Sequence, residues 1–387
     1  TGVKLVDIYE KNLDNLNQGA GAGVQINGGA TVLKKLGLGE AIEKSGSRVK
    51  RVLTRSVNGR VLLDINVIEA GKKYGASELQ FFTIMRDELQ KLLIESLPEN
   101  CSIHRKEVVG TELSSDKVVL KFSDGSKSSE EYDLVVGADG IRGKSKSYLS
   151  EGYNYSKPYD SGLRIIIGTT KAKYRPANSQ NELHQWFGGG IYAFSATYGG
   201  MGGEKYEAIF VVYSDGGKYE PNLNWRRNPK AKDDAINLLL KNDFPNELID
   251  LAEGCDNFFQ IGVEYHNPLT NWQGLNGQGV ILGDCAHAMP PTLGQGANQA
   301  IQDGYCLAKK LEDFKNGKFD SLKSAMASYE STRKVAVTPL LINSIILGKV
   351  ETFEGVLGAF VRDNFFSTMG KLGVAEKVLM SGAKLKI

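Results

Sequence analysis

One stretch, residues 279–304, has the sequence GVILGDCAHAMPPTLGQGANQAIQDG. It contains an apolar run, an aspartate, two prolines and a glycine loop, followed by a helix-forming segment. The apolar run at 280–282 predicts a buried strand that Gly283 and Asp284 end. Apolar residues recur at helical spacing from about Ala297, so GQGAN is predicted to lie at a helix N-terminus, where backbone N–H groups favour negative charge. Ligands of open α/β sheets bind beyond the carboxyl ends of strands, which favours a ligand near Asp284. On these residues alone, a capped helix without a ligand is an equally good interpretation.

The composition of the chain changes twice, which predicts an inserted domain. Residues 1–154 and 273–330 indicate one α/β framework, and the continuous apolar run Leu134-Val135-Val136 is typical of a parallel strand buried on both faces. Residues 155–272 contain short β-rich runs separated by glycine, asparagine and proline clusters, which predict an antiparallel sheet domain. Residues 331–387 are predicted to be helical. The fold class is therefore α/β, with a parallel sheet, an inserted antiparallel β-sheet and a C-terminal helical region.

Bulk composition excludes several classes of protein. Of the 387 residues, 41% are hydrophobic and 24% charged, and the net charge of +2 gives no electrostatic basis for binding nucleic acid. Four cysteines without metal-ligand spacing predict no metal site and favour a non-secreted protein of the cytoplasm or an organelle interior. No apolar run reaches the roughly 18 residues of a membrane span. The most apolar tract, VAVTPLLINSIILG, is predicted to be a packed helix, with peripheral membrane contact as an alternative.

A glycine-rich segment near the start, GAGAGVQINGGATVLKKLGL (19–38), resembles a phosphate loop only superficially. Gly19, Gly21 and Gly23 do not fit the GxGxxG spacing, and no predicted strand abuts them. We interpret the segment as a flexible turn that leads into a short helix.

The stretch 279–304 resembles the second flavin-binding motif of the FAD-dependent aromatic hydroxylase and epoxidase family, which includes para-hydroxybenzoate hydroxylase, salicylate hydroxylase and zeaxanthin epoxidase. The resemblance covers nearly the whole chain and implies an FAD-binding Rossmann-like sheet in residues 1–154 and 273–330, with residues 155–272 as the substrate domain. It implies that Asp284 accepts a hydrogen bond from the ribityl chain and that the backbone of residues 294–298 faces the flavin pyrimidine. The motif residues assigned to the cofactor are Gly283, Asp284, Pro290, Gly294, Gln295, Gly296, Ala297 and Asn298.

Three further segments carry the resemblance. LVVGADGIRGKS resembles the DG motif of the family, which implies that Asp139 and Gly140 lie near the FAD pyrophosphate and the nicotinamide route. The family usually has Ser and Arg where this chain has Gly143 and Lys146. TIMRDEL matches the start of an arginine-containing helix, and Glu10 matches the acidic residue at a strand end that binds the adenosine ribose. The segments therefore add Glu10 and Arg86 to the candidate cofactor residues.

The family also begins with a strand, a GxGxxG turn and a helix that grips the FAD pyrophosphate, and no GxGxxG occurs in this chain. The chain opens on what matches the second strand of the family. We expect that on the order of 20–30 residues, the first half of a βαβ unit, are absent through loss of an N-terminal fragment.

The resemblance implies a monooxygenase in which NAD(P)H reduces FAD, O2 adds to the reduced ring, and the flavin hydroperoxide passes one oxygen atom to an aromatic or isoprenoid ring. No catalytic side chain is assigned, because the histidine at His287 belongs to the flavin-site scaffold in this family. A flavin-free binding subunit is the alternative, because the pyrophosphate grip is missing. Four aromatic residues of the inserted domain are predicted either to line the substrate site or to fill the sheet core: Trp186, Phe187, Tyr192 and Phe194.

Overall fold

The computed structural model describes residues 3–13, 22–76, 79–150, 157–171, 181–216, 229–267 and 270–387. The described strands are β1 (Val6–Tyr9), β2 (Gly23–Ile26), β3 (Ser47–Arg48), β4 (Arg51–Ser56), β5 (Val61–Asn66), β6 (Phe82–Met85), β7 (Cys101–His104), β8 (Val108–Ser114), β9 (Lys117–Phe122), β10 (Val135–Gly137), β11 (Tyr159–Lys171), β12 (Glu182–Phe187), β13 (Ile191–Gly199), β14 (Lys205–Ser214), β15 (Asn257–Tyr265), β16 (Gln273–Gly274) and β17 (Gly279–Ile281). The described helices are α1 (Gly28–Lys35), α2 (Gly39–Ser45), α3 (Val67–Lys73), α4 (Arg86–Glu95), α5 (Ser145–Leu149), α6 (Ala231–Lys241), α7 (Asn246–Gly254), α8 (Asp284–His287), α9 (Gly296–Lys315), α10 (Leu322–Glu351), α11 (Gly355–Lys371) and α12 (Val374–Ala383).

Parallel strands form the framework that the sequence predicts. Strand β1 pairs in parallel with β7, and β10 pairs in parallel with β17, which carries β16 on its other side. Strand β10 lies in the predicted apolar run and β17 in the opening stretch, and both end at the same edge of their sheet. The predicted α/β class is therefore confirmed.

The two parallel pairs have unpaired edges and partly exposed apolar side chains. In the described part of the chain β1 pairs only with β7, and β10 only with β17. Val6 is 39% exposed on β1, Ile8 is 36% exposed, and Val136 of β10 is 40% exposed. Uncovered edges with apolar side chains are uncommon in stable sheets.

A ten-stranded, mainly antiparallel sheet makes up the second layer, in the order β15-β11-β14-β13-β12-β4-β5, with β2, β3 and β6 joined to it through β13. Strands β11–β15 come from the predicted insertion, and their antiparallel pairing agrees with it. The other five come from residues 23–85. Strand β4 pairs in parallel with β12, so the large sheet is shared by both parts of the chain. The three predicted boundaries between the four segments stay a prediction.

The large sheet packs on both faces. One face, with Tyr192, Phe194 and Phe187, packs against side chains of α10, α11 and α12, and the Phe194 and Phe210 rings stack at 4.2 Å. Trp186 lies on the opposite face, against α6 and α7. The four candidate aromatic residues thus do not share one wall: Trp186 is separated from the others by the sheet.

The C-terminal region is helical, as predicted. The apolar tract lies within α10, which runs for 30 residues and includes Pro339. Ser321 caps this helix, accepting from the Ser324 backbone N–H, while the Ser324 hydroxyl accepts from the Ser321 N–H. Among the described residues, no helix has both the length and the apolarity to cross a membrane. Peripheral membrane contact stays a prediction.

Candidate functional site

The turn after β17 aims Asp284 into open space. Gly283 has φ 60° and ψ −145°, a backbone conformation open essentially to glycine alone. Its N–H donates to Asp303 Oδ2 at 2.9 Å, which fixes the turn from behind. Between residues 279 and 290, Asp284 is the one exposed residue in an otherwise largely buried stretch. The fold therefore points this carboxyl away from the core that surrounds its neighbours.

Asp284 lies in an open recess. The side chain reaches solvent, yet burial among surrounding protein atoms raises the pKa of its carboxyl, and the lowering by His287 and Arg86 is smaller. A side chain that is both solvent-accessible and surrounded by protein lacks full hydration. A ligand hydroxyl that donates to this carboxyl would replace the missing water contacts.

The loop from residue 290 to 294 leads from this recess to the start of α9. Pro291–Leu293 forms a short 3-10 turn, and Gly294 follows in the left-handed region with φ 60°. A Cβ at Gly294 would lie 2.6 Å from Gln25 Oε1, and one at Gly296 would lie 3.8 Å from Asp284 Oδ1. Gly294 therefore lies tightly against Gln25, and the start of α9 lies beside the Asp284 carboxylate at ordinary contact distance. The backbone N–H groups of that N-terminus attract negative charge.

Asn298 holds the start of α9 against the N-terminal part of the chain. Its Oδ1 accepts from the N–H groups of Asn27 at 2.7 Å and Gly29 at 3.0 Å. Its Nδ2 donates to the carbonyls of Gln25 and Gly294, both at 2.9 Å. An amide side chain has two donor hydrogens and two acceptor positions, and all four are used inside the protein. Only the backbone of Asn298 is therefore left to meet a cofactor.

The side chain of Gln295 also turns inward. Gln295 is 2% exposed; its Nε2 donates to Leu293 O at 3.3 Å, and its Oε1 accepts from Gln299 at 3.2 Å. It packs closely against Gly382 of α12, where a Cβ would lie 2.9 Å from the Gln295 amide carbon. Its neighbour Ala297 is partly exposed at the helix start. As with Asn298, the predicted cofactor contact at Gln295 is confined to its backbone.

Arg86 faces the same recess. It begins α4 directly after the buried residues 81–85 and is itself exposed. Its backbone N–H donates to Ala22 O at 3.3 Å. The guanidinium lowers the pKa of Asp284, so opposite charges from distant parts of the sequence meet there. The structure thus brings together Arg86, Asp284 and the start of α9.

The DG turn lies beside this group. Leu282 N–H donates to Gly137 O at 3.0 Å, which holds the ends of β10 and β17 together. Asp139 accepts from the Ser145 backbone N–H at 2.9 Å and from its hydroxyl, and that hydroxyl lies 3.2 Å from the Cys285 sulfur. Gly140 follows with φ 81°. The turn therefore contacts the residue next to Asp284.

The two departures from the family pattern have physical reasons. A Cβ at Gly143 would lie 2.0 Å from Asp139 Oδ1, so the carboxylate occupies the space of the missing side chain. Ser145, two positions later, supplies the hydroxyl that binds it. Lys146 is 1% exposed, and burial lowers the pKa of its ammonium to about 8, opposed by Cys285 and Asp139. In this chain, Asp139 and Ser145 thus fill the space and form the hydrogen bonds of the turn in place of a serine at position 143.

Restoring the family serine tests this account. We expect Gly143→Ser to lower the free energy of unfolding by about 1–3 kcal/mol, because the new side chain displaces the Asp139 carboxylate from its hydrogen bonds. Urea unfolding measures the change. Gly304→Ser is the matched control, because nothing lies within 4 Å of a Cβ there. Equal stability of both variants would show that Asp139 has room to move.

Glu10 stays apart from the recess. It follows β1, its N–H donates to His104 O at 3.0 Å, and its Oε1 accepts from Asn12 N–H at 2.8 Å. These contacts are local, and none joins it to Asp284 or Arg86. Its predicted contact with an adenosine ribose stays a prediction.

The interpretation of the glycine-rich segment as a flexible turn is wrong for residues 23–26, which form a strand, whereas the predicted short helix after it is present as α1. Strand β2 follows directly and pairs with β6, and α1 begins at Gly28 with Asn27 as its N-cap. Gly19 and Gly21 lie outside the described residues. An Asn before Gly-Gly and an apolar helix is an N-cap signal. That signal in INGGATVL could have located the first residue of the predicted helix, which Asn298 binds.

A buried network of charged side chains lies behind the turn that carries Asp284. Asp303 of α9 lies 2.6 Å from His287 Nε2 through Oδ2 and 2.6 Å from Arg333 Nε through Oδ1, and all three side chains are fully buried. Burial alone would raise the pKa of Asp303, but His287 and Arg333 together hold it below its usual value. His287 thus serves the scaffold. No group of three or more potential metal ligands occurs among the described residues.

A second buried polar group lies at the end of α10, about one helical turn after Gly348, which faces Thr292 of the 290–294 loop. Glu351 is 3% exposed, and its Oε1 accepts from Gln185 Nε2 at 3.1 Å. Burial raises the pKa of the Glu351 carboxyl to about 8, while Gln185 and Tyr192 lower it less. Arg362 also lowers it, and less again. Glu351 is therefore mainly protonated at neutral pH.

This proton makes stability depend on pH. Between the unfolded pKa of about 4.5 and the folded value of about 8, the folded state binds more protons, so stability falls as pH rises. We expect the wild type to lose about 2 kcal/mol relative to Glu351→Gln between pH 5 and pH 7. Urea unfolding of both proteins at the two pH values measures the difference. Parallel pH profiles would contradict a protonated Glu351.

Comparison with known proteins shows which family this chain resembles in sequence and in fold. The sequence model of a family described as an FAD binding domain matches residues 259–344. The 3-amino-4-hydroxybenzoate 2-monooxygenase PtmB3 of Streptomyces platensis is 30% identical over 76% of this chain and 70% of that protein. The chloroplastic zeaxanthin epoxidase of Solanum lycopersicum is 31% identical over 66% of this chain and 36% of that protein. Klebsiella pneumoniae HpxO, solved with FAD and uric acid, covers 98% of both chains with a TM-score of 0.76 at 17% identity, and shares the fold.

A parallel sheet with acidic residues at its strand ends, beside a glycine-rich helix N-terminus, defines a nucleotide-cofactor-binding α/β protein. Within that class, the chain belongs to the family of FAD-dependent monooxygenases that includes aromatic hydroxylases and zeaxanthin epoxidase. The predicted family is therefore confirmed, together with its FAD-binding and oxidoreductase character.

Proposed function

We propose that this protein is an FAD-dependent monooxygenase that uses NAD(P)H and O2 to hydroxylate or epoxidise a small organic substrate with an aromatic or isoprenoid ring. The observation that carries the proposal is the open recess at Asp284, which faces the N-terminus of α9 and the guanidinium of Arg86. Bound FAD supplies the oxygen chemistry, and the protein supplies binding, orientation and exclusion of water.

Asp284 holds the cofactor by accepting a hydrogen bond from a ribityl hydroxyl. The raised pKa of its carboxyl supports this role, because a donated hydrogen bond offsets the poor hydration in the recess. The backbone N–H groups of residues 294–298 meet the pyrimidine edge. The helix dipole there favours negative charge by roughly 0.3–1 kcal/mol for each interaction.

The remaining cofactor contacts follow the strand ends. Asp139 and Gly140 lie at the pyrophosphate side of the recess, and Arg86 contributes the positive charge that phosphate requires. Glu10 would bind the adenosine ribose. Gly283 and Pro290 shape the turn and the loop that frame the site. Support comes from the contact of the DG turn with Cys285, next to Asp284.

The substrate class divides the proposal into two branches. One relative is named for an aminohydroxybenzoate and another for zeaxanthin. We assign the substrate to the space between the large sheet and the recess, because the sheet face with Tyr192 packs towards α10 and the 290–294 loop. A flavin-free binding subunit is the second candidate, and family membership does not favour it.

The absorbance spectrum of the purified protein tests the proposal. We expect bands near roughly 370 and 450 nm, the property of a bound flavin. NADPH and NADH oxidation is then measured in air against a panel of phenols and carotenoids, with product analysis for one added oxygen atom. A protein that stays colourless with added FAD would support the flavin-free alternative.

Removal of the carboxylate provides a sharper test. We expect Asp284→Ala to weaken FAD binding by about 10- to 100-fold, because it removes a charge-assisted hydrogen bond of roughly 1.5–3 kcal/mol. Fluorescence titration of the apoprotein with FAD measures it. Asp320→Ala, exposed before α10, is the matched control and should bind FAD like the wild type. Unchanged affinity in Asp284→Ala would exclude the proposed ribityl contact.

A further inference from the structure

A line of four large apolar side chains is exposed along the outer side of α10. Their exposed fractions lie between 36% and 73%, and they are Val335, Ile342, Ile346 and Phe353. An α-helix turns about 100° per residue, so the first three positions fall within an arc of about 40°. Phe353 follows the helix end, where its N–H donates to Val350 O at 3.2 Å and continues the turn. The line is therefore about 27 Å long and one side chain wide.

The opposite side of α10 packs into the protein. Ser344 is buried there, and its carbonyl accepts from Thr292 Oγ1 of the 290–294 loop at 2.9 Å. A Cβ at Gly348 would lie 2.9 Å from Leu163 Cδ1 of the large sheet. The apolar line therefore faces away from both the sheet and the recess around Asp284.

The narrow width of the line indicates what covers it. A helix that lies on a lipid surface presents a wide apolar face, with lysine or arginine residues on its polar face. Pro339, which is exposed beside the line, widens the arc only to about 60°. From residue 335 to 353, all of which the structure describes, Lys349 is the one exposed charged residue. A seam of this width is typical of a contact between two helices.

The four positions are also placed symmetrically along the chain. Ile342 and Ile346 lie two residues before and after position 344. Val335 and Phe353 lie nine residues before and after it. Two antiparallel copies of α10 related by a twofold axis at this position would place Ile342 against Ile346 of the second copy, and the outer pair would meet in the same way. The two Lys349 side chains would lie about 15 Å apart along the helices, beyond the screening length of roughly 8 Å at physiological salt.

The apolar surface continues past Phe353 into the first two turns of α11. Four more large side chains are exposed there, by 46% to 90%: Val356, Leu357, Phe360 and Val361. Helices α10 and α11 pack on the same face of the large sheet, so their outer sides belong to one surface. Together the eight side chains expose on the order of 800 Å², about what each partner contributes to an interface of standard size. A patch of that size exceeds the roughly 300–600 Å² of a typical monomer.

We propose that the outer side of α10 and the start of α11 form the interface of a homodimer, in which a twofold axis crosses α10 near position 344. In this dimer Phe353 lies opposite Val335 of the second copy, so the start of α11 lies beside the N-terminal half of the second copy's α10. The inner side of each α10 still packs against the 290–294 loop of its own chain. The proposal does not depend on the proposed function, because no flavin contact enters it.

A pair of charged substitutions tests both the interface and its register. Sedimentation velocity is measured on the full chain with FAD added, and the wild type should have twice the mass of one chain. Ile342→Lys and Ile346→Glu should each be monomeric, with a dissociation constant raised by roughly 100-fold, because each change places two charges against isoleucine in the interface. An equimolar mixture of the two variants should form a dimer again. In the mixture the new lysine of one copy lies opposite the new glutamate of the other, and the two remaining isoleucines pair.

Leu240→Lys is the matched control, since Leu240 is 55% exposed on α6, across the large sheet from α10, and this variant should stay dimeric. Restored pairing in the mixture would also show that both interface variants are folded. A monomeric wild type, single variants that stay dimeric, or a mixture that stays monomeric would each overturn the proposal. If a monomeric wild type floats with vesicles of phosphatidylcholine and phosphatidylglycerol, the apolar surface contacts lipid instead of a second copy.

Discussion

Asp303→Asn should lose about 3–5 kcal/mol of stability and most of its bound FAD. The substitution removes the carboxylate that lies between His287 and Arg333, and it leaves the buried Arg333 guanidinium without a negative charge at 2.6 Å to balance it. Breaking a buried ion pair from one side costs about 3–5 kcal/mol, because the remaining charge is desolvated. Asp303 Oδ2 also accepts from Gly283 N–H, so the turn that aims Asp284 loosens at the same time. Urea unfolding and the ratio of flavin to protein absorbance measure the two effects.

The same helix offers a matched control for Asp303. Asp313 of α9 pairs with Lys318 at 2.7 Å near the surface, where salt bridges contribute about 0–1 kcal/mol, so Asp313→Asn should change little. A second arm pairs Asp303→Asn with Arg333→Met. Removing both charges should restore part of the stability, because the uncompensated charge is gone. Stability of the single variant within about 1 kcal/mol of the wild type would contradict the network.

Asn298→Asp should lower stability by roughly 2–5 kcal/mol, although the two side chains have nearly the same shape. The amide donates to the carbonyls of Gln25 and Gly294, and a carboxylate has no hydrogen to donate to either. Each carbonyl left facing an acceptor costs about 1–3 kcal/mol. FAD binding should weaken in parallel, because the start of α9 loses its attachment to β2. Urea unfolding and FAD titration measure both changes.

Asn343→Asp is the control for this exchange, since Asn343 lies exposed on α10 and should tolerate the charge within about 0.5 kcal/mol. The pH dependence separates the explanations further. Acidification protonates the new carboxyl at position 298, which regains one donor hydrogen, so the deficit should shrink towards low pH. A deficit that does not change with pH would mean that packing, and not hydrogen bonding, explains the loss.

Local patterns in the sequence predicted the elements around the recess. An apolar run followed by Gly283 and Asp284 predicted the strand and its end, and the glycine loop predicted the helix that begins at Gly296. The continuous run at 134–136 predicted a parallel strand, which the structure places at 135–137, but its predicted burial on both faces is wrong because Val136 is 40% exposed. These predictions succeed because strand length, helix spacing and glycine backbone freedom are properties of neighbouring residues.

Strand partners across the chain were not predictable in the same way. Strand β4 pairs with β12 across about 130 residues, which extends the large sheet beyond the predicted insertion. Strand β2 was missed because glycine-rich sequence around it suggested a turn, whereas pairing with β6 stabilises it. Pairing with a distant strand leaves no periodic signal in either segment.

The sequence by itself determined the class of fold, the family and the residues that end the strands at the recess around Asp284. Only the tertiary structure decided that the Asn298 side chain forms all its hydrogen bonds with Asn27, Gly29, Gln25 and Gly294. It also decided that Ser344 Oγ and Glu351 Oε2 of α10 are buried without a partner among the described residues. The reason is physical: Asn27 and Asn298 lie 271 residues apart, and a hydrogen bond between them depends on how the chain is packed, which no local spacing records.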